Sequence, residues 1–200
     1  MTYPDFFNNI ETITLQDDLS NLLGATQDGI IEFSYLDVVK CAGHSCPTVL
    51  GAYLMTGAAL KALFKDELPK RGEVKIYFKE NQFEGVAGVI ANVMANITGA
   101  TSKLGFKGIA GNHDRRHLMF FEEDIPANAR FVRRDTKEAI DVYYNPSSIA
   151  PDAKMSPLMQ KCISRTATKE EQQEFARLWQ LRVEQIALNK ESVIAVKEVE

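Results

Sequence analysis

Two cysteines and a histidine fall within six residues in the run Cys41-Ala-Gly-His44-Ser-Cys46-Pro47. The chain has 200 residues but only three cysteines and three histidines, so its soft ligands are concentrated in one place. Thiolate sulfur and imidazole nitrogen hold zinc and similar ions, and a thiolate is also a nucleophile. Pro47 suits the first turn of a helix, where its missing N–H has no intrahelical partner. Cys46 then stands at the N-cap, where free N–H groups and the helix dipole favour a thiolate. His44, beside Gly43, can turn its ring to the same point, and Cys41 can close the set from the preceding turn. Three donors from one loop leave a coordination position open, the pattern of a catalytic or exchange site rather than a sealed structural one. Two other readings compete. The cysteines can pack as small apolar residues while His44 caps a backbone group. They can also form a redox disulfide, although the spacing is not the C-x-x-C of thioredoxin-like motifs.

A second polar cluster is Asn112-His113-Asp114-Arg115-Arg116-His117. His113 and His117 stand four apart, which places them on one face of a helix or of a strand. Either can supply a further ligand or a proton relay, and Arg115 or Arg116 can hold an anionic ligand. The competing reading is a solvated loop whose arginines pair with nearby acids. Glu84 is a carboxylate placed either as a ligand or simply as an acid at a helix N-terminus. Cys162 stands alone and reads as structural. Gly105, Gly108 and Gly111 fit neither a dinucleotide nor a P-loop spacing.

The elements that must position these residues follow from apolar spacing. Short apolar–polar segments lie around Phe6–Ile10 and Leu15–Leu23, and Gly29 leads into a short strand at Ile30–Phe33. From Pro47, the residues Leu50, Leu54, Ala58 and Ala62 recur at helical spacing until Pro69 and Gly72. Glu73–Lys79 alternates as a half-buried strand, with Val74, Ile76 and Phe78 on one face. Gly85–Ile97 carries one apolar helical stripe and one face of small residues, and Gly99 fits a left-handed C-cap. Leu104–Ile109 and Leu118–Phe121 read as strands, and Ala129–Arg133 with Ala139–Tyr144 as a hairpin.

Three prolines mark Asn145–Pro157 as linker. Thr168-Lys-Glu-Glu171 is a capping box that opens a helix with Phe175, Leu178, Trp179, Val183 and Ile186 on its apolar stripe. Trp179 reads there as core or dimer packing, and Val193–Val199 as an edge strand. This order predicts an α+β fold, a mixed or antiparallel sheet packed against helices. It divides into a metal-binding domain at 1–145, a linker at 146–167 and a C-terminal helical extension at 168–200. The extension packs on the domain or on a dimer partner.

At 45% hydrophobic and 25% charged, the composition supplies an ordinary globular core. A net charge of −4 argues against nucleic acid and anionic membrane as partners. An odd cysteine count with two so close together favours reduced thiols and a cytoplasmic protein. No basic region followed by an apolar core opens the chain, so no signal peptide is expected. Val49–Phe64 is interrupted by Thr56 and Lys61 and reads as too short to span a bilayer.

Gly43-His44-Ser45-Cys46-Pro47, followed by Leu50-Gly51 and a small-rich helix, resembles the Gly-His-x-Cys-Pro signature of the formylmethanofuran dehydrogenase FmdE-like family. Ile97-Thr98-Gly99-Ala100-Thr101 resembles that family's Thr-Gly-Cys-Thr element. The resemblance covers Tyr35 to Phe121, and more loosely the rest. It implies an α+β fold like the catalytic domain of glyceraldehyde-3-phosphate dehydrogenase. It also implies zinc or a similar divalent metal at His44 and Cys46, a homodimer, and an operon association with a molybdenum or tungsten enzyme. Ala42 stands where family members commonly carry a histidine, and Ile90 and Ala100 where many carry cysteines. Cys41 is therefore this chain's candidate replacement ligand. The expected protein binds a metal, most simply Zn2+, at an open His/Cys site, with a small polar molecule held near His113, Arg115, Arg116 or His117. The alternatives are an accessory or metal-delivery protein for a molybdenum or tungsten oxidoreductase and, less favoured, a thiol redox protein.

Overall fold

The computed structural model describes residues 2–199; Met1 and Glu200, the outermost residues of the predicted domain and extension, lie outside the described residues. Near the N-terminus, strand β1 (Ile13–Gln16) pairs antiparallel with β2 (Ile30–Phe33), Ile13 opposite Phe33. Helix α1 (Asp18–Leu22) lies between them, capped by the Asp17 carboxylate through the N–H groups of Leu19 and Ser20. Helix α2 (Tyr35–Ala42) begins at a reciprocal capping box of Ser34 and Asp37. Gly43 ends it with φ +76°, a left-handed backbone open to glycine at no steric cost. Helix α3 (Pro47–Phe64) follows after a short loop. Leu50, Ala52, Met55, Ala59 and Leu60 are all buried along it, so it is apolar nearly all round. Length and composition alone would let α3 cross a membrane, yet 61% of it is buried inside the protein, as the core helix.

The main sheet is built from β3 (Val74–Tyr77), β4 (Met119–Phe120), β5 (Ala129–Arg133) and β6 (Ala139–Tyr144), with helix α4 (Ala87–Thr98) between the first two. The chain continues through α5 (Met155–Ile163), α6 (Lys169–Leu188) and α7 (Lys190–Val193) to the strand β7 (Ile194–Glu198). Strand order is β4-β3-β5-β6-β7, parallel at β3–β4 and antiparallel elsewhere, so the sheet is mixed and the fold is α+β. Val74, Ile76, Ala129, Phe131, Ile140 and Val142 form its buried face, and α3 packs across β5, β6 and β7 on that side. Helices α4 and α6 pack in turn against α3. One covered face and one wetter face is the usual state of a largely antiparallel sheet.

Three local expectations change. Leu104–Ile109 is not a strand: the segment bends irregularly, and Gly108 and Gly111 take φ +85° and +84°, which no extended ladder accommodates. The stretch read as linker contains a 3-10 turn at Pro146–Ser148 and all of α5. Pro157 falls in the first turn of α5, where its missing N–H costs no hydrogen bond. Helix α2 was also unanticipated, although Ser34-Tyr-Leu-Asp37 is a capping-box pattern with Asp in place of Glu.

Candidate functional site around Cys46

The His44-Ser45-Cys46 loop joins two helices and is fixed at both ends. Gly43 closes α2 by donating its N–H to Val39 O at 2.8 Å. Cys46 is the N-cap of α3, and its Sγ accepts the Val49 N–H at 3.3 Å, with Pro47 at the first helical position. The sulfur thus occupies the place where an N-cap side chain satisfies an orphan backbone donor, at the positive end of the helix.

His44 is exposed, and its Nδ1 lies 3.0 Å from the Ala42 carbonyl. A carbonyl only accepts, so Nδ1 carries the proton, and in the neutral ring Nε2 is the nitrogen with the lone pair. Metal-bound imidazoles are oriented by the same kind of bond on the nitrogen away from the ion.

The residues around this loop come from distant parts of the chain. Tyr35 is fully buried, with its hydroxyl 3.0 Å from Ser45 Oγ. Tyr144 donates to Pro47 O at 2.7 Å, and its ring packs against α3 where Gly51 has no side chain; a Cβ there would come within 2.3 Å of the ring. From α6, Trp179 Nε1 and Gln180 Nε2 both donate to Ser45 O, at 2.9 and 3.3 Å. That carbonyl's two lone pairs are therefore occupied, which removes it as a metal ligand. Burial pushes the Tyr35 phenol well above its ordinary range, against the Ser45 hydrogen bond, and the nearby Cys46 and Tyr144 push the same way. Burial also raises Tyr144, with Arg182 opposing and Cys46 adding to it. Both phenols are protonated at neutral pH.

Cys41 is exposed on α2 while Cys46 is buried, and both are free thiols. Among the described residues no three His, Cys, Asp or Glu side chains stand together closely enough to hold a metal ion. Cys41 is not gathered with His44 and Cys46 into such a group, so a soft divalent ion held here would have at most His44 Nε2 and Cys46 Sγ as donors from this run. Any further ligands would come from water or from a bound molecule.

The second cluster lies apart from this loop and is divided. Arg115 is 5% exposed and donates from Nη2 to Asp17 Oδ1 at 2.8 Å, while Arg71 holds the other oxygen at 3.0 Å. Its guanidinium fills the space over Gly72, and its Nε and Nη1 are buried without a hydrogen-bond partner among the described residues. Arg116 forms a two-pronged pair with Asp114 at 3.0 and 2.8 Å; that bond holds the Asp114 carboxyl down to about 2. His113 and His117 have φ +60° and +56°, so neither lies in a strand and the shared strand face is not formed. His113, Asp114 and Arg115 line a cavity of about 20 Å³ with Arg71 and Glu73, room for about one water, and no residue of the 41–46 run lines it. Glu84 accepts the Asn81 N–H at 3.4 Å ahead of α4, and Cys162 is half-buried in α5.

A family model described as "FmdE, Molybdenum formylmethanofuran dehydrogenase operon" matches residues 41–195, well over half of the chain. The chain belongs to this family. The FmdE match opens at Cys41 and ends inside β7, so it takes in the Cys46 loop, strands β3 to β6 of the main sheet and α6. Among solved structures, a tungsten formylmethanofuran dehydrogenase FmdE-like protein from Syntrophus aciditrophicus is similar at 14% identity. That alignment covers 84% of this chain and 73% of the other, with a TM-score of 0.43. No curated protein matches.

Sequence reasoning placed the FmdE signature residues but missed Tyr35, Tyr144 and Gln180, and read Trp179 only as packing. One signal was available: an indole N–H in a protein interior normally finds an acceptor.

Proposed function

We propose that this FmdE-family protein is an accessory protein of a molybdenum or tungsten oxidoreductase that holds a divalent metal, Zn2+, in exchangeable form at His44 and Cys46. The observation that carries this is the His44 Nδ1 contact with Ala42 O, which presents Nε2 two residues from the Cys46 sulfur. Two protein donors from one loop suit a site that accepts and releases its ion, with a small polar molecule completing the coordination. The family description, naming a molybdenum formylmethanofuran dehydrogenase operon, supports the partner enzyme. In this reading the protein acts in the cytoplasm, as a homodimer.

The test is metal content after zinc loading and dialysis, by elemental analysis, for the wild type, Cys46→Ser and His44→Ala. Wild-type binding that falls below a tenth of stoichiometric in either variant is the expected result. Full occupancy in Cys46→Ser overturns the site. A pull-down from cells that make such an oxidoreductase tests the partner, and no enriched molybdenum or tungsten enzyme counts against it.

A further inference from the structure

Nearly every arginine of this chain is tied to a carboxylate. Arg71 and Arg115 share Asp17, Arg116 holds Asp114, Arg130 holds Asp141, and Arg133 holds Glu67 and Asp135. Arg134 pairs with Glu73, and Arg177 with Glu174. Arg165 and Arg182 remain. Arg165 is exposed in the turn after α5, whereas Arg182 is half-buried on α6. Among the described residues no carboxylate pairs with Arg182, and its one hydrogen bond runs from Nε to the Ile149 carbonyl at 3.2 Å. One turn along α6 in either direction stand Leu178, Trp179, Gln185 and Ile186, so the helix itself supplies no acid.

This unpaired cation stands beside the Cys46 loop. Arg182 follows Trp179 by one turn, and the Trp179 indole bonds the Ser45 carbonyl, so both side chains leave α6 from the same side. Tyr144 reaches the loop from the sheet, with its hydroxyl on Pro47 O at 2.7 Å. Burial raises that phenol most; after burial, the Arg182 charge pulls it down and Cys46 pushes it up. The cation and the sulfur therefore both act on one hydroxyl. With Nε held by the backbone, the guanidinium keeps the N–H groups of its two terminal nitrogens for a ligand. Neither nitrogen is sealed off, because the buried donors without partners among the described residues belong to Arg115. A planar fork of this kind pairs with two oxygens that share a negative charge. One cation balances one such charge, which a carboxylate carries and a phosphate group at neutral pH exceeds.

We infer that Arg182 holds the carboxylate of a small molecule that occupies the site beside Cys46. This rests on the reading above, in which a small polar molecule completes the His44 and Cys46 site, and gives that molecule its charge. It also moves the anion-holding part to α6, since Arg115 and Arg116 are both committed to acids.

The experiment is alkylation of the metal-free full chain with iodoacetate and with iodoacetamide. The two reagents deliver the same methylene carbon, with and without a carboxylate; in each the Cys46 thiolate forms one S–C bond and iodide leaves. Site-resolved mass spectrometry gives the iodoacetate-to-iodoacetamide rate ratio at Cys46, with the exposed Cys41 as internal reference. A ratio at Cys46 about tenfold or more above that at Cys41, the worth of one hydrogen bond to a charged group, is the expected result. In Arg182→Gln the two ratios should be equal. Taking the ratio cancels any change in the reactivity of the thiol itself. A raised ratio that survives Arg182→Gln overturns the assignment. So does a wild-type ratio no higher at Cys46 than at Cys41, a result that needs no variant to fold. With no metal present, this ratio and the zinc content fail separately.

Discussion

Trp179 Nε1 donates to the Ser45 carbonyl at 2.9 Å across 134 positions of sequence. The peptide between His44 and Cys46 is therefore held by α6 as well as by the caps at either end of its loop. A side-chain hydrogen bond of this kind contributes about 1 kcal/mol net. Trp179→Phe keeps most of the ring and removes the donor, leaving Gln180 alone on that carbonyl. Stability in urea should fall by about 1 kcal/mol, and Cys46 should react faster with a disulfide reagent than in the wild type. An unchanged thiol rate, with the loss of stability present, would show that Trp179 packs without steering the loop.

Cys46 serves as a helix cap as well as a candidate ligand, and the two roles can be separated. Serine is among the best N-cap residues and alanine among the poor ones, a difference of about 1 kcal/mol. Cys46→Ser should melt at or above the wild-type temperature while losing zinc. Cys46→Ala should lose both zinc and about 1 kcal/mol. If serine destabilises as much as alanine, the sulfur's bond to Val49 N–H is not the cap described.

Gly51 lies under the Tyr144 ring, so Gly51→Ala should act through overpacking rather than through helix propensity, which by itself favours alanine. The expected cost is about 1–3 kcal/mol. Adding Tyr144→Leu should recover part of it, because the obstructing ring is gone. A double variant whose loss, measured by urea denaturation, is the full sum of the two single losses would contradict the contact.

Asp17 gives the chain an acid sensitivity with a defined sign. Burial pushes its carboxyl up, but the bonds and charges of Arg71 and Arg115 and the Ser20 N–H outweigh that, and its value in the fold lies below the ordinary one. Stability from this group is complete above about pH 4 and is lost as the pH falls through the folded-state value. Asp17→Asn should cost about 3–5 kcal/mol at neutral pH, since it strands the buried Arg115 charge. The gap between variant and wild type should narrow on acidification. A gap constant from pH 7 to pH 3 in urea titrations would remove Asp17 from the account.

Much of this architecture was legible because burial leaves a period in the sequence. The β5–β6 hairpin, α4 and α6 each bury one face, and each shows it as alternation or as a helical stripe. The loop at 102–117 was not legible, because its glycines and positive-φ residues break any period. The two-residue β4 is too short to carry one. At the site, Gly43 to Pro47 could be read because its parts are adjacent. The Arg115–Asp17 pair spans 98 positions and the Trp179–Ser45 bond 134, and nothing local announces either. The arginine offered for a ligand is instead tied to the carboxylate that caps α1.

The chain contains a single tryptophan, and its indole is bonded to the peptide that adjoins Cys46. Its indole emission, excited at the red edge where the six tyrosines do not absorb, therefore comes from one address. Chemistry at the sulfur, whether a bound ion, an alkyl group or an oxidised form, takes place one residue from the acceptor of that indole. The protein thus carries an optical probe of its own loop, and occupancy can be followed in real time without attaching a dye.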